Sequence, residues 1–134
     1  MAKLPTHLNA ITGQGNINGT SGNDRIIGSN LNDTISGNGG NDIIYAGAGN
    51  DTISAESGLI YAGPGNDVVY GGDGFNTIVG GPGGDFLFGG GGNDKIFGGP
   101  GGDFIVGDAG NDTLTLLWQF SCFRRCCLRF AFPI

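Results

Sequence analysis

The sequence predicts an all-β protein made of short, stacked strands, because one nine-residue pattern recurs along most of the chain. The pattern runs from Gly19 to Thr115 and combines a glycine-rich turn, an aspartate and a short apolar strand. Thirty of the 134 residues are glycine, well above the usual share of about 7%. Since each glycine costs a helix about 1 kcal/mol relative to alanine, the same composition argues against helices.

The first element is an N-terminal segment, residues 1–18. It contains one lysine and no apolar run of the length that a secretory signal peptide requires. Its last nine residues, Ala10 to Asn18, follow the repeat weakly, with Ile17 at the aliphatic position and Gly15 where an aspartate would stand. We expect a degenerate capping repeat there.

The second element is the repeat region, residues 19–115, whose register is set with Gly19 as position one. Position four is glycine in every unit except one, where Leu31 stands. Position eight is aliphatic in all eleven units, and strand alternation places it on one face. Stacked units would bury these side chains as one column: Ile26, Ile35, Ile44, Ile53, Ile60, Val69, Ile78, Leu87, Ile96, Ile105 and Leu114.

Position six holds the candidate metal ligands. A single aspartate beside glycine is usually an ordinary turn residue, but nine aspartates in one register are not explained that way. Asp73 and Asp108 lie outside the register and are expected to be solvated; Glu56 is also outside it, although it could partly replace a missing aspartate. The candidates are Asp24, Asp33, Asp42, Asp51, Asp67, Asn76, Asp85, Asp94, Asp103 and Asp112.

The charge distribution favours cations as partners and argues against nucleic acid. All twelve acidic residues lie within the repeats, together with only two basic residues, Arg25 and Lys95. Calcium takes six to eight oxygen ligands, from carboxylates and carbonyls, at about 2.3–2.6 Å. A column of aspartates on strands about 4.8 Å apart would repel itself without such an ion.

One unit of the repeat region is defective. Residues 55–61 form a unit of seven residues that lacks the Asn-Asp pair but keeps the apolar segment Leu59-Ile60-Tyr61. We therefore expect a strand with a shortened turn and a lost ligand.

The repeat resembles the calcium-binding RTX (repeats in toxin) family, whose motif is Gly-Gly-x-Gly-x-Asp-x-U-x with U aliphatic. The unit Gly89 to Phe97, which reads GGGGNDKIF, shows the match, and the resemblance covers residues 19–115. It implies a parallel β-roll, or β-solenoid, in which two nine-residue repeats form each coil and calcium ions lie in the turns.

Two repeats per coil would sort the ligands into two columns. One would hold Asp33, Asp51, Asp67, Asp85 and Asp103 without interruption. The other would be broken by the short unit, with good sites at Asp24/Asp42 and Asp94/Asp112 and a weaker one at Asn76/Asp94. We expect about six to seven calcium ions in total, which would offset the charge of the repeats.

Positions seven and nine are expected to point outward, and many of them are apolar. The row on one side begins polar, at residues such as Thr34 and Ser54, and becomes aromatic at Phe86, Phe88 and Phe104. Such residues suit strands in general, but a monomer rarely exposes a contiguous apolar patch. The sharper hypothesis is that the C-terminal tail or a second copy covers the patch.

The third element is the tail, residues 116–134, where the composition changes. It has no glycine and holds Trp118, four phenylalanines, three arginines and all three cysteines. It could cap the last coil or result from a shifted reading frame, and it lacks the acidic polar stretch expected of a type I export signal. Cys122, Cys126 and Cys127 match no zinc pattern, and a bridge between chains or three reduced thiols both remain open.

We expect a non-catalytic calcium-binding protein that folds on binding extracellular calcium, located outside the cell or at its surface. No nucleophile and base pair suggests catalysis, and no stretch approaches the roughly 20 apolar residues of a membrane span. One alternative is a self-assembling structural protein, such as a filament or surface layer, joined through apolar faces or coil ends. Another is the C-terminal calcium-binding module of a larger secreted toxin or hydrolase.

Overall fold

The computed structural model describes residues 8–117 and 122–123 and confirms the all-β, parallel solenoid. This part of the chain contains strands and no helix. The strands are β1 (Asn9–Thr12), β2 (Asn16–Asn18), β3 (Asp24–Ile27), β4 (Thr34–Ser36), β5 (Asn41–Tyr45), β6 (Thr52–Ala55), β7 (Ser57–Tyr61), β8 (Val68–Gly71), β9 (Asn76–Val79), β10 (Phe86–Phe88), β11 (Lys95–Phe97), β12 (Phe104–Val106), β13 (Thr113–Thr115) and β14 (Cys122–Phe123).

Successive strands alternate between two parallel sheets of seven strands each. The odd-numbered strands form one sheet and the even-numbered strands the other, and we refer to them as the odd and even sheets. Each strand pairs with the strand two further along, so that Ile26 lies beside Ile44 and Ile35 beside Ile53. Two repeats therefore form one coil, as predicted.

The core is the column of position-eight side chains between the two sheets. From Ile17 to Ile105 these residues are almost completely buried, and Ile11, Leu114 and Leu116 pack against them at the ends. A strand of three residues cannot bury its own apolar side chain, so stability comes from stacking many coils.

The short unit keeps its strand. In β7, Ile60 pairs with Ile44 on one side and with Ile78 on the other, so the aliphatic column is continuous. Gly58 lies between Asp42 and Asn76, at the register position of an aspartate. The odd sheet thus continues past the short unit, and at this one register position glycine offers no side-chain oxygen.

The sequence analysis missed the first strand. β1 pairs with β3, placing Asn9 beside Asp24 and Ile11 beside Ile26. A further degenerate unit thus precedes the predicted one at Ile17, with asparagine at the ligand position as at Asn76. The segment Asn9-Ala10-Ile11 carries that signal, but no glycine precedes it in the expected turn.

Two residues of the tail continue the even sheet. Cys122 and Phe123 form β14, which pairs with β12 through Phe104 and Ile105. The described residues exclude residues 1–7, 118–121 and 124–134. The predictions that the tail caps the last coil and that its cysteines pair fall mostly on these residues. Across the described ranges, no helix has the length and hydrophobicity needed to cross a bilayer.

Candidate metal centre

The position-six residues all lie within one residue of the start of a strand, at the inner side of a turn. Asp112 is half-buried, and the other nine candidates, from Asp24 to Asp103, are at most 2% exposed. Aspartate is rarely buried to this degree unless it is paired or bound to a metal. Asp73, Asp108 and Glu56 are exposed, in line with their positions outside the register.

The aspartates form the two expected columns, and one oxygen of each links neighbouring coils. In the even column, the N–H of Asp33 donates to Oδ1 of Asp51 at 2.7 Å, and Asp67 donates in the same way to Asp85 at 2.9 Å. In the odd column, the N–H of Asp94 donates to Asp112 at 2.9 Å. Each of these side chains therefore holds its own coil against the one before it.

Neighbours in the even column follow one another without a gap from Asp33 to Asp103. The odd column falls into two groups, Asp24 with Asp42, and Asn76 with Asp94 and Asp112. Gly58 separates the groups, as the short unit indicated.

The second oxygen of most of these side chains has no hydrogen-bond partner. An unsatisfied buried acceptor costs about 1–3 kcal/mol, and more when it is charged. A series of such atoms in register provides acceptor oxygens that a cation could satisfy. The atoms are Oδ2 of Asp42, Asp51, Asp67, Asp85, Asp94 and Asp103, and Oδ1 of Asn76.

The first two aspartates are exceptions, because side chains at position two satisfy them. Oδ2 of Asp33 accepts hydrogen bonds from the N–H and the hydroxyl of Ser29, at 2.7 and 2.9 Å. The N–H and the hydroxyl of Thr20 donate to Oδ2 of Asp24 in the same way. The sequence analysis made no distinction between these two aspartates and the later ones, whereas the first coil provides its own donors.

A missed feature of the repeat is the role of position one. A Cβ atom at Gly98 would lie 2.4 Å from Oδ2 of Asp103, and one at Gly80 would lie 2.4 Å from Oδ2 of Asp85. The same atom at Gly80 would lie 2.6 Å from the carbonyl oxygen of Gly98 in the next coil. Glycine at these two positions thus leaves room where a carboxylate and a carbonyl oxygen approach each other.

Burial also shifts the protonation of these carboxyl groups. Desolvation raises the pKa of Asp85 to about 7 and the pKa values of Asp42, Asp67 and Asp94 to about 6, although a backbone N–H on each opposes the shift. Asp33 behaves differently, because hydrogen bonds from Ser29 and Gly15 outweigh its desolvation and lower its pKa. A cation beside the first four groups would favour their charged form.

The donor set fits calcium. Within the described ranges, no group of three or more acidic, histidine or cysteine side chains comes together, so side chains alone do not complete a coordination shell. Carboxylate oxygens from neighbouring coils, supplemented by turn carbonyls and water, give the all-oxygen environment that calcium prefers. The absence of sulfur and imidazole from these turns does not favour zinc or copper.

The model of one protein family, the RTX calcium-binding nonapeptide repeat, matches the chain four times, over residues 12–30, 27–58, 59–78 and 79–114. The chain belongs to this RTX family. No curated protein and no solved structure matches it significantly. The RTX matches include the short unit and extend upstream of Gly19, to residues that the structure places in the first coils.

Proposed function

We propose that this RTX protein is a non-catalytic calcium-binding β-roll that folds when it meets extracellular calcium. The observation that carries the proposal is the series of buried, unsatisfied side-chain oxygens stacked in two columns. Six of these atoms belong to carboxylates, which are the strongest calcium ligands available in a protein.

The ion positions follow from the two columns. The even column offers four intervals between neighbouring aspartates, from Asp33 to Asp103. The odd column offers good sites at Asp24/Asp42 and Asp94/Asp112, and a weaker one at Asn76/Asp94 because asparagine carries no charge. This arrangement gives about six to seven ions, each with oxygen ligands only.

Calcium binding would be coupled to folding because the empty columns are costly. Buried carboxylates must be either neutral or paired, and the rest of the repeat, rich in glycine, loses much chain entropy on ordering. A metal that binds only the folded state contributes its binding free energy to folding. Extracellular modules bind calcium at about 0.1–1 mM, so folding would follow export.

Circular dichroism of the calcium-free protein tests the coupling. We expect a largely unfolded spectrum in chelator and a β spectrum in millimolar calcium, with magnesium as the control ion because it demands a smaller octahedral site. An ordered β spectrum in chelator at neutral pH would contradict the coupling.

A second candidate function is self-assembly, which the outer face of the even sheet favours. Tyr70 stacks on Phe88 with ring centroids 5.3 Å apart, and Phe86 lies 5.8 Å from Phe104. About half of the surface of Tyr70 and of Phe86 is exposed. Aromatic rows of this kind on a protein surface are typical of contacts between proteins.

Replacing Phe86, Phe88 and Phe104 with serine tests the assembly. We expect smaller particles in light scattering and no filaments in electron micrographs, both recorded in calcium. The matched control is the pair Tyr45 and Tyr61, which stack 5.0 Å apart on the odd sheet and are replaced in the same way. If the wild-type protein is a dispersed monomer in calcium, assembly through this face is excluded.

A further inference from the structure

A cleft lies beside the short coil, where the chain lacks two residues. Four residues join β4 to β5 and four join β8 to β9, but Glu56 alone joins β6 to β7. The backbone of Glu56 continues the contacts between coils, since its N–H donates to the carbonyl of Asn38 at 3.4 Å and its carbonyl accepts from Gly74 at 3.0 Å. The missing residues therefore leave a gap between two full turns.

We propose that this cleft is a binding site for a neutral saccharide. Its volume is about 380 Å³, within the range of small-ligand sites. The side chains that line it are Ser36, Asn38, Ser54, Glu56 and Tyr70, and the remaining lining comes from alanine and glycine. Hydroxyl, amide and carboxylate groups beside one aromatic ring are the contacts that a sugar ring can use on both its polar edge and its apolar face.

The polar wall of the cleft is organised before any ligand arrives. The hydroxyl of Ser54 donates to Ser36 at 3.5 Å, and Ser36 donates to Oδ1 of Asn38 at 3.1 Å. Asn38 in turn donates to the carbonyl of Gly19 at 2.9 Å. Because this chain of bonds uses the hydroxyl hydrogens, the oxygen of Ser54 keeps its acceptor capacity for a ligand hydroxyl.

The apolar contact is Tyr70, whose ring is also held in place. It lies nearly parallel to Phe88, with an interplanar angle of 7°, and 49% of its surface is exposed. A fixed aromatic ring loses little conformational entropy on binding and provides a large flat contact area. The C–H face of a pyranose ring can lie against such a surface.

The charge of the cleft selects against anionic ligands. Glu56 is the one charged residue among those that line it. A phosphate or carboxylate would be placed near this negative charge without a basic residue in the lining, whereas sugar hydroxyls can donate to it. A neutral saccharide satisfies both the carboxylate and the aromatic ring.

Ligand-observed saturation-transfer NMR on the full chain in saturating calcium tests the proposal. The probes are cellohexaose, laminarihexaose, chitohexaose and maltohexaose, each at about 10 mM so that even weak binding registers. We expect at least one probe to bind. Its binding should weaken about tenfold in Tyr70→Ala, because aromatic anchors dominate such contacts. It should also weaken in Glu56→Ala.

Two controls separate the site from the rest of the roll. Tyr61→Ala removes an equally stacked tyrosine from the opposite sheet and should leave binding unchanged. Insertion of two glycines between Glu56 and Ser57 restores a nine-residue unit and should fill the cleft, so that binding is lost. Circular dichroism in calcium verifies that each variant remains folded.

The proposal is overturned if none of the four probes binds, or if binding survives both Tyr70→Ala and the insertion. It is also overturned if the cleft proves to be a cation site. In that case calcium titration would lose one ion in Glu56→Gln, and no saccharide would bind the wild-type protein. Since these readouts are recorded on folded, calcium-saturated protein, they do not depend on whether folding requires calcium.

Discussion

At the residue scale, the two oxygens of a position-six aspartate such as Asp85 lie in different environments. In Asp85, Oδ1 accepts a hydrogen bond from the N–H of Asp67, whereas Oδ2 is buried without a partner. The first oxygen contributes to the backbone ladder between coils, and the second is available to a cation. A variant can therefore remove the role of one oxygen and keep that of the other.

Asp85→Asn keeps an acceptor for the N–H of Asp67 but removes the negative charge. We expect weaker calcium binding, and a loss of stability in calcium that matches the lost binding free energy. Asp85→Ala also leaves that N–H unsatisfied, so it should lose a further 1–3 kcal/mol, roughly, of unfolding free energy. Calorimetric calcium titration and thermal melts measure the two effects.

Asp73→Asn is the matched control for this series, because Asp73 is exposed and lies outside the register. Its calcium binding and melting temperature should equal those of the wild type. Equal calcium affinities for Asp85→Asn and Asp73→Asn would contradict the proposal that Asp85 is a ligand.

At the element scale, the coils are not equivalent. The turns before β3 and β4 carry Thr20 and Ser29, whose N–H and hydroxyl groups satisfy the aspartates that follow. Several later turns carry glycine at that position, as at Gly81 and Gly99, and the aspartates that follow these two, Asp85 and Asp103, each have an unsatisfied oxygen. The first coil should therefore depend least on calcium.

Replacing Thr20 and Ser29 together with glycine tests this difference. The change removes two hydroxyl donors and keeps the backbone N–H groups of both residues, so we expect the first coil to become more dependent on calcium. Hydrogen exchange of the amides in β3 and β4 at low calcium should become faster in the variant. Thr34→Gly, on the exposed outer face of β4, is the control for loss of a hydroxyl and added flexibility. If hydrogen exchange in the double variant is no faster than in this control, the proposed role of Thr20 and Ser29 is contradicted.

The sequence predicted the repeat strands and the two columns of stacked aspartates because a fixed period determines which residues stack. It did not predict β1, since Asn9 and Ile11 lie only 15 residues before Asp24 and Ile26, outside the period. It also did not predict a row of asparagines at position five. Oδ1 of Asn32 accepts from the N–H of Asn50 at 2.8 Å, for example. Such bonds depend on turn geometry, which the residue pattern does not encode.

At the scale of the whole molecule, the columns make stability depend on pH in the absence of calcium. The pKa values of Asp42, Asp67, Asp85 and Asp94 rise to about 6–7 on folding, so the folded state binds more protons. Their contribution to folding is fully present below the unfolded pKa of about 3.9 and is lost as pH rises through 6–7. Asp33, whose pKa is lowered, opposes this trend.

We therefore expect calcium-free protein to gain β structure when the pH falls from about 8 to about 5. With calcium present, affinity should fall over the same range, because protons compete for the same oxygens. Circular dichroism of metal-free protein and calcium titrations at both pH values measure the two effects. A calcium-free protein that is less ordered at pH 5 than at pH 8 would contradict the prediction.

The short coil shows how the roll accommodates a repeat that lacks two residues. After a coil of 16 residues instead of 18, Ile60 again lies beside Ile78 and the next coil resumes its register. Side-chain alternation, and not a count of residues, sets the pairing of each new strand. A change of length in a turn is therefore confined to that turn. A deletion of two residues between two strands can therefore arise in the roll without disturbing how the strands on either side stack.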